Sequence, residues 1–185
     1  MKKVFLFFCL MLAGCFAAPK DVFEEKLSGG SVYQLPVGKI ELVDFKVHHD
    51  SKHYIENTWP QTPVQVIQNW VSQNLKTTPF KPARLVVVIH QAHVVQESLK
   101  AEHWFYPDRE KDTLSFRVEF IVKEDTKTKQ TFTVGGEAFV EMTAKKSLAE
   151  KETQWANMLL QMRETLALKL QEKLPHVVKI QPTSY

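Results

Sequence analysis

Two stretches in the middle of the chain alternate apolar and polar residues, and they limit the fold more than any other feature. From Thr113 to Lys123, Leu114, Phe116, Val118, Phe120 and Val122 fall on one parity, with Ser115, Arg117, Glu119, Ile121 and Lys123 on the other. From Thr131 to Thr143, Phe132, Val134, Ala138, Val140 and Met142 share a parity in the same way. Successive side chains of a strand point to opposite faces, so each stretch reads as a half-buried antiparallel strand with one wet face. The polar segment Glu124 to Gln130 joins them as a hairpin, and Gly135-Gly136 is expected to bend or bulge the second strand. The apolar face of this hairpin must be covered by other elements.

Two helices have the right pattern to cover it. Thr62-Pro63-Val64-Gln65 is a T-x-x-Q capping box with proline at the first helical position, where a missing N–H costs nothing. Val64, Ile67, Val71 and Leu75 then form one apolar stripe with Trp70 at its margin, and the helix is expected to end before Pro79. Ser147-Leu148-Ala149-Glu150 is a second capping box, and its helix runs to about Lys173 before Pro175. Its stripe is Trp155, Met158, Leu159, Met162, Leu166, Leu170 and Leu174.

Ala83 to Glu97 contains the densest apolar run, Leu85 to Ile89, and reads as a central strand buried on both faces. Lys39 to Val47 is a further strand whose apolar parity slips at Leu42-Val43, which suggests a β-bulge there. Phe16 to Gly38 carries Pro19, Gly29-Gly30 and Pro36 and reads as a tether, with room for a short strand around Ser31 to Leu35. Val177 to Ile180 fits a short edge strand, and residues 181–185 a frayed tail. The order β-α-β-β-β-α implies an α+β fold: a mixed, largely antiparallel four-stranded sheet with two helices packed on one face, forming a single domain over residues 39–180.

The chain opens with Lys2 and Lys3, followed by the unbroken apolar run Val4 to Ala13. As a helix this run spans about 15 Å, where a bilayer needs about 20 residues, so it reads as a secretion signal. Leu12-Ala13-Gly14-Cys15 resembles the lipobox of bacterial lipoproteins. The resemblance implies a signal peptide at residues 1–14, cleavage before Cys15 and acylation of that cysteine. An ordinary cut after Ala17 is the alternative. Phe16 and Ala17, rather than aspartate, follow the cysteine, which by the same resemblance implies the inner leaflet of the outer membrane, with the domain facing the periplasm. Two or more acyl chains hold a protein stably at a bilayer, where one gives marginal binding.

Removing Lys2 and Lys3 lowers the formal charge from +3 to +1, too balanced to argue for nucleic acid. The chain has two cysteines; Cys9 leaves with the signal and Cys15 carries lipid, so thiol chemistry is excluded from the domain.

The element order together with the lipobox is similar to small envelope-lipoprotein folds: the lipopolysaccharide-assembly lipoprotein LptE, the YajG family and the ABC-transport auxiliary lipoproteins. Trp59-Pro60-x-x-Pro63 leading into a helix with Trp70, then Ala83 to Glu97, resembles a group of uncharacterised proteobacterial lipoproteins over roughly Ile40 to Leu174. Transport-linked members of these folds hold a partner, so the resemblance implies a non-catalytic adaptor in envelope assembly or transport, without a cofactor.

The residues themselves offer weaker alternatives. His48, His49, Asp50 and His53 are metal-ligand types in a polar segment, but their spacing is not the helical H-x-x-x-H, and a solvated loop is the better account. His90 and His93, three apart on a strand, are expected on opposite faces. Glu119, Glu137 and Glu141 are candidates to converge near Arg117 on the open face, although such charges usually serve solubility and register. The chain contains no G-x-S-x-G or H-E-x-x-H motif, which argues against an enzyme. Trp59, Trp104, Phe105 and Tyr106 lie in charged segments and are candidates for partner binding or for capping the core. Phe139 and Ile121 form a smaller candidate patch. The rivals to an adaptor are a periplasmic metal or small-ligand binder and an undetected hydrolase.

Overall fold

The computed structural model describes residues 26–27, 30–44, 54–101, 103, 106–174 and 176–180. Its spine is the expected hairpin. Strands β5 (Arg109–Glu124) and β6 (Lys127–Thr143) pair antiparallel from Arg109↔Thr143 to Glu124↔Lys127. β4 (Ala83–Leu99) runs antiparallel along the other edge of β5, and β2 (Lys39–Asp44) parallel along β4, so the sheet order is β2-β4-β5-β6. Leu85 to Ile89 are buried on both faces, as their unbroken apolar run requires.

Three register details differ from expectation. Phe116↔Gly136 and Arg117↔Gly135 are ordinary pairs, so the glycines make no bulge. β2 pairs continuously from Lys39↔Arg84 to Asp44↔Ile89, so none lies at Leu42-Val43 either. There the parity slip reflects edge exposure, since Leu42 and Val43 are each 38% exposed at the margin of the sheet. One irregularity lies in β6, where Lys129 is the extra residue between Val122↔Gln130 and Lys123↔Thr128; the other falls between Ile89↔Val118 and Gln91↔Arg117, with His90 as the extra residue. It switches the parity of β4, turning Ala92, Val94 and Gln96 toward the helices. His90 and His93 consequently share the outer face, contrary to the expectation: His90 meets Glu119 at 2.8 Å, and His93 pairs in register with Ser115.

Helix α1 (Pro63–Asn74) and helix α2 (Leu148–Lys173) cover the inner face, and both capping boxes form. At α1 the Gln65 N–H donates to Thr62 Oγ1 at 3.2 Å and the Thr62 N–H to Gln65 Oε1 at 2.8 Å. The whole predicted stripe of α2 is buried. α1 ends one residue before Leu75, which begins strand β3 (Leu75–Thr77). Its buried arc also takes in Val66 and Trp70, which is a core residue rather than a marginal one. The cause is a second cover: Leu27, Tyr33, Leu35 and Val37 join the same core, so residues read as tether belong to the packed body.

That N-terminal segment forms β1 (Val32–Leu35), flanked by parallel β3 and antiparallel β7 (Val178–Ile180) in the order β3-β1-β7. This small sheet continues into the large one. The Thr78 N–H donates to Val37 O at 2.9 Å, and the Gly38 N–H to Ala83 O at 2.7 Å. A Cβ on Gly38 would lie 2.2 Å from the Lys81 carbonyl oxygen, so only glycine fits this crossing.

Candidate functional site

The aromatic residues singled out in the sequence separate into different roles. Trp59 is buried and stacked on Trp155 with ring centroids 5.0 Å apart, so it caps the core and is removed from the set of partner-binding residues. Beneath that stack sits a polar cluster that strand alternation could not reveal. Asp112 is fully buried and accepts hydrogen bonds from Trp155 Nε1 at 2.6 Å and Gln96 Nε2 at 2.9 Å. The parity switch at His90 is what aims Gln96 inward to meet it. The sequence signal was a lone Asp on the apolar parity of β5, two residues before Leu114.

Tyr106 remains exposed, at 60%, in the β4–β5 connection. Trp104 and Phe105 lie outside the described residues, as do Cys15, His48, His49, Asp50 and His53. Leu99, Lys100, Ala101, His103, Tyr106, Pro107 and Arg109 line a cavity of about 370 Å³ at this end. The Ala144 N–H donates to Asp108 O at 3.0 Å, which fastens the β6–α2 turn, with Lys145 and Lys146, to the β4–β5 connection. One tip of the body therefore carries Lys100, Tyr106, Arg109, Lys145, Lys146 and Leu148, the last 63% exposed.

The remaining candidates do not assemble. Ile121 pairs with Thr131 and Phe139 with Thr113, eight residues apart along β5, or about 26 Å, so they form no common patch. Glu119 faces His90 and Glu141 binds Arg109 at 3.3 Å near the far end of the strand, so the three glutamates do not converge on Arg117. Among the described residues no group of three His, Cys, Asp or Glu side chains could hold a metal.

Two features have no counterpart in the sequence reading. Phe80 is fully exposed, 102% of its reference area, at φ 61° between Pro79 and Pro82, in the connection from β3 to β4. A bulky side chain in the left-handed region is strained by roughly 1–2 kcal/mol, and here no burial offsets it. The second feature is Arg163, on α2, which is buried and donates from Nη1 to Leu27 O at 2.6 Å. Desolvation holds its guanidinium below the usual arginine range. Asn74 donates to Ser31 O at 3.2 Å, and Gly30 passes between the two at φ 118°. Arg163 and Trp70 also line two cavities of about 180 and 320 Å³ beside this junction. Together these contacts fasten the incoming chain to both helices.

No family model matches the chain, and no curated protein matches it. Among solved structures it is similar to a minor lipoprotein from Acinetobacter baumannii, at 13% identity over 80% of this chain and 99% of that one, with a TM-score of 0.36. The uncharacterised lipoprotein B of Nitrosomonas europaea matches at 12% identity over 72% and 81%, TM-score 0.42. The rare lipoprotein B of Shewanella oneidensis matches at 14% over 72% and 98%, TM-score 0.30. At such identities and scores the likeness carries nothing about function, and similarity to LptE or the YajG family is not shown by it.

Proposed function

We propose that this protein is a lipid-anchored lipoprotein of the cell envelope, acylated at Cys15 on the inner leaflet of the outer membrane, whose periplasm-facing body holds a protein partner without catalysis. The observation that carries the reading is Leu12-Ala13-Gly14-Cys15 directly behind the apolar run Val4 to Ala13. The fold supports it. Leu27 and Ser31 are held by Arg163 and Asn74, so a pull on the anchor is borne by packed structure. Leu27 is twelve positions after Cys15, which keeps the body within about 40 Å of the bilayer.

Fully exposed Phe80 supports the partner-holding part, because an aromatic presented to solvent is the kind of group that anchors an interface. The non-catalytic part rests on the sequence, which offers no motif for covalent or metal-assisted hydrolysis.

Labelling cells with a fatty-acid analogue tests the anchor: the label is expected to vanish in Cys15→Ser. Persistence of the label in that variant would overturn the assignment. A photocrosslinker at Phe80 tests the adaptor, with a reproducible envelope-protein adduct expected and an absence of adducts counting against it. Zinc or copper bound stoichiometrically by the purified protein, and lost on changing His48, His49 and His53, would favour the ligand-binding rival.

A further inference from the structure

We infer that the tip bearing Lys100, Tyr106, Lys145, Lys146 and Leu148 rests on the anionic headgroup surface of the membrane that holds the anchor. The inference deepens the proposed function and relies on its lipid anchor for orientation.

The direction of the incoming chain points to this end. Lys26 Nζ donates to Asn157 Oδ1 at 2.9 Å, and the next residue, Leu27, is held by Arg163, six positions further along α2. The described chain therefore begins beside the N-terminal half of α2 and runs away from the tip. Asn157 lies nine residues from Leu148, about 14 Å below the tip along the helix. Eleven residues from Cys15 to Lys26 reach about 40 Å at most, enough to bring the tip to the bilayer.

Charge and amphipathic character agree with that placement. Of the described carboxylates on and under the tip, Glu141 binds Arg109 at 3.3 Å, Glu110 binds Lys151, Asp108 accepts from the Ala101 N–H, and Glu150 closes the capping box with Ser147, which leaves Glu97 and Glu152 outside such contacts. Lys100, Lys145 and Lys146 form no ion pair among the described residues; the Glu150 pKa is lowered chiefly by hydrogen bonds from Ser147, with a smaller contribution from Lys146. Tyr106 and Leu148 stand exposed among these cations. Lysines around an exposed tyrosine and leucine suit the headgroup region, where the charges meet anionic lipid and the apolar surfaces enter the acyl boundary. The opposite end carries exposed lysines too, including Lys81 and Lys127, but the described chain does not begin there.

The test uses the mature chain, residues 15–185 carrying Cys15→Ser, so binding is measured without the acyl chains and a failure here leaves the labelling result untouched. Sedimentation with phosphatidylcholine vesicles, with and without phosphatidylglycerol, is expected to show binding to the anionic vesicles that weakens with salt. Each lysine at such a surface contributes roughly fivefold, so Lys100→Glu/Lys145→Glu/Lys146→Glu should lower partitioning by at least about a hundredfold. Lys81→Glu/Lys127→Glu, at the far end, should change it little. Equal binding to neutral and anionic vesicles, or equal losses in the two variants, overturns the inference. A second measurement is independent of how the triple variant folds. An environment-sensitive dye on Tyr106→Cys, the only thiol in that chain, should shift to the blue on anionic vesicles, whereas a dye on Phe80→Cys should not. The reverse pattern, or no shift at either position, rejects the placement.

Discussion

Replacing Asp112 by alanine should be among the most damaging single changes available in this fold. The side chain is fully buried, and its two oxygens each take one donor, Trp155 Nε1 at 2.6 Å and Gln96 Nε2 at 2.9 Å. Asp112→Ala strands both. A buried donor left without a partner costs about 1–3 kcal/mol; Trp155 is buried and Gln96 half-buried, so the second loss is smaller and the two together give about 2–5 kcal/mol. Relief from burying a carboxyl group offsets part of that, and a net loss near 3 kcal/mol is expected. A folded chain of this size loses about 2–4 °C of Tm per kcal/mol, so the midpoint should fall by roughly 6–12 °C. Urea unfolding followed by far-UV circular dichroism measures the loss directly, provided the denaturant slope is unchanged. The contact can be isolated with Trp155→Phe: the two changes should be non-additive, with a coupling energy of about 1 kcal/mol or more. Gln96→Met/Asp112→Leu/Trp155→Phe, which removes donors and acceptor together, should regain much of the stability. A loss below about 0.5 kcal/mol for Asp112→Ala, or strict additivity in the cycle, would refute the reasoning.

Gly30→Ala places a Cβ 2.4 Å from Arg163 Nη2 at a φ of 118°, and should destabilise by about 1–3 kcal/mol in the same urea assay; an unchanged midpoint would show that the N-terminal junction yields freely. Phe80→Gly should leave stability unchanged or raise it by up to about 1 kcal/mol, since strain is relieved and no contact is lost; a clear fall in Tm would mean that Phe80 packs against something. Glu172 has its pKa lowered from 4.5 to about 2 by hydrogen bonds from Lys169 and then Lys173. A depressed carboxyl pKa favours the fold above the unfolded value near 4.5, and that contribution disappears as pH falls toward 2. Carboxyl NMR titration should find the low midpoint, and Lys169→Ala/Lys173→Ala should return it toward 4.5; an unmoved midpoint would remove the two lysines as its cause.

Most of the large sheet was legible because its elements are defined locally. Alternation in β5 and β6, the apolar run of β4 and both capping boxes each depend on a few neighbouring residues. The misplaced bulge has a physical reason: parity in β2 is set by its edge position, whereas His90 is an extra residue only relative to its partner strand. Trp59 was ambiguous for a similar cause, since a tryptophan in a polar segment is exposed or buried according to what stacks on it, and here that is Trp155 from nearly a hundred residues away. Two strands of the small sheet, near Ser31 to Leu35 and Val177 to Ile180, were legible, but β3 and the grouping of all three into a second sheet were not, because strands of three or four residues carry almost no periodic signal and β3 and β7 exist here only as additions to β1.

The sequence by itself determined the α+β class, both helices and their caps, the face each strand of the hairpin buries, and the lipobox-like start that makes Cys15 the residue to test. Only the tertiary structure decided that the N-terminal segment is part of the core, that Asp112 is buried among indole and amide donors, that Phe80 stands free, and that Tyr106 shares one tip with Lys145 and Lys146. The division has one cause. Local patterning fixes which way a side chain points from its own element, but burial and charge environment depend on elements distant in sequence that pack against it, and those contacts form only once the chain has closed on itself.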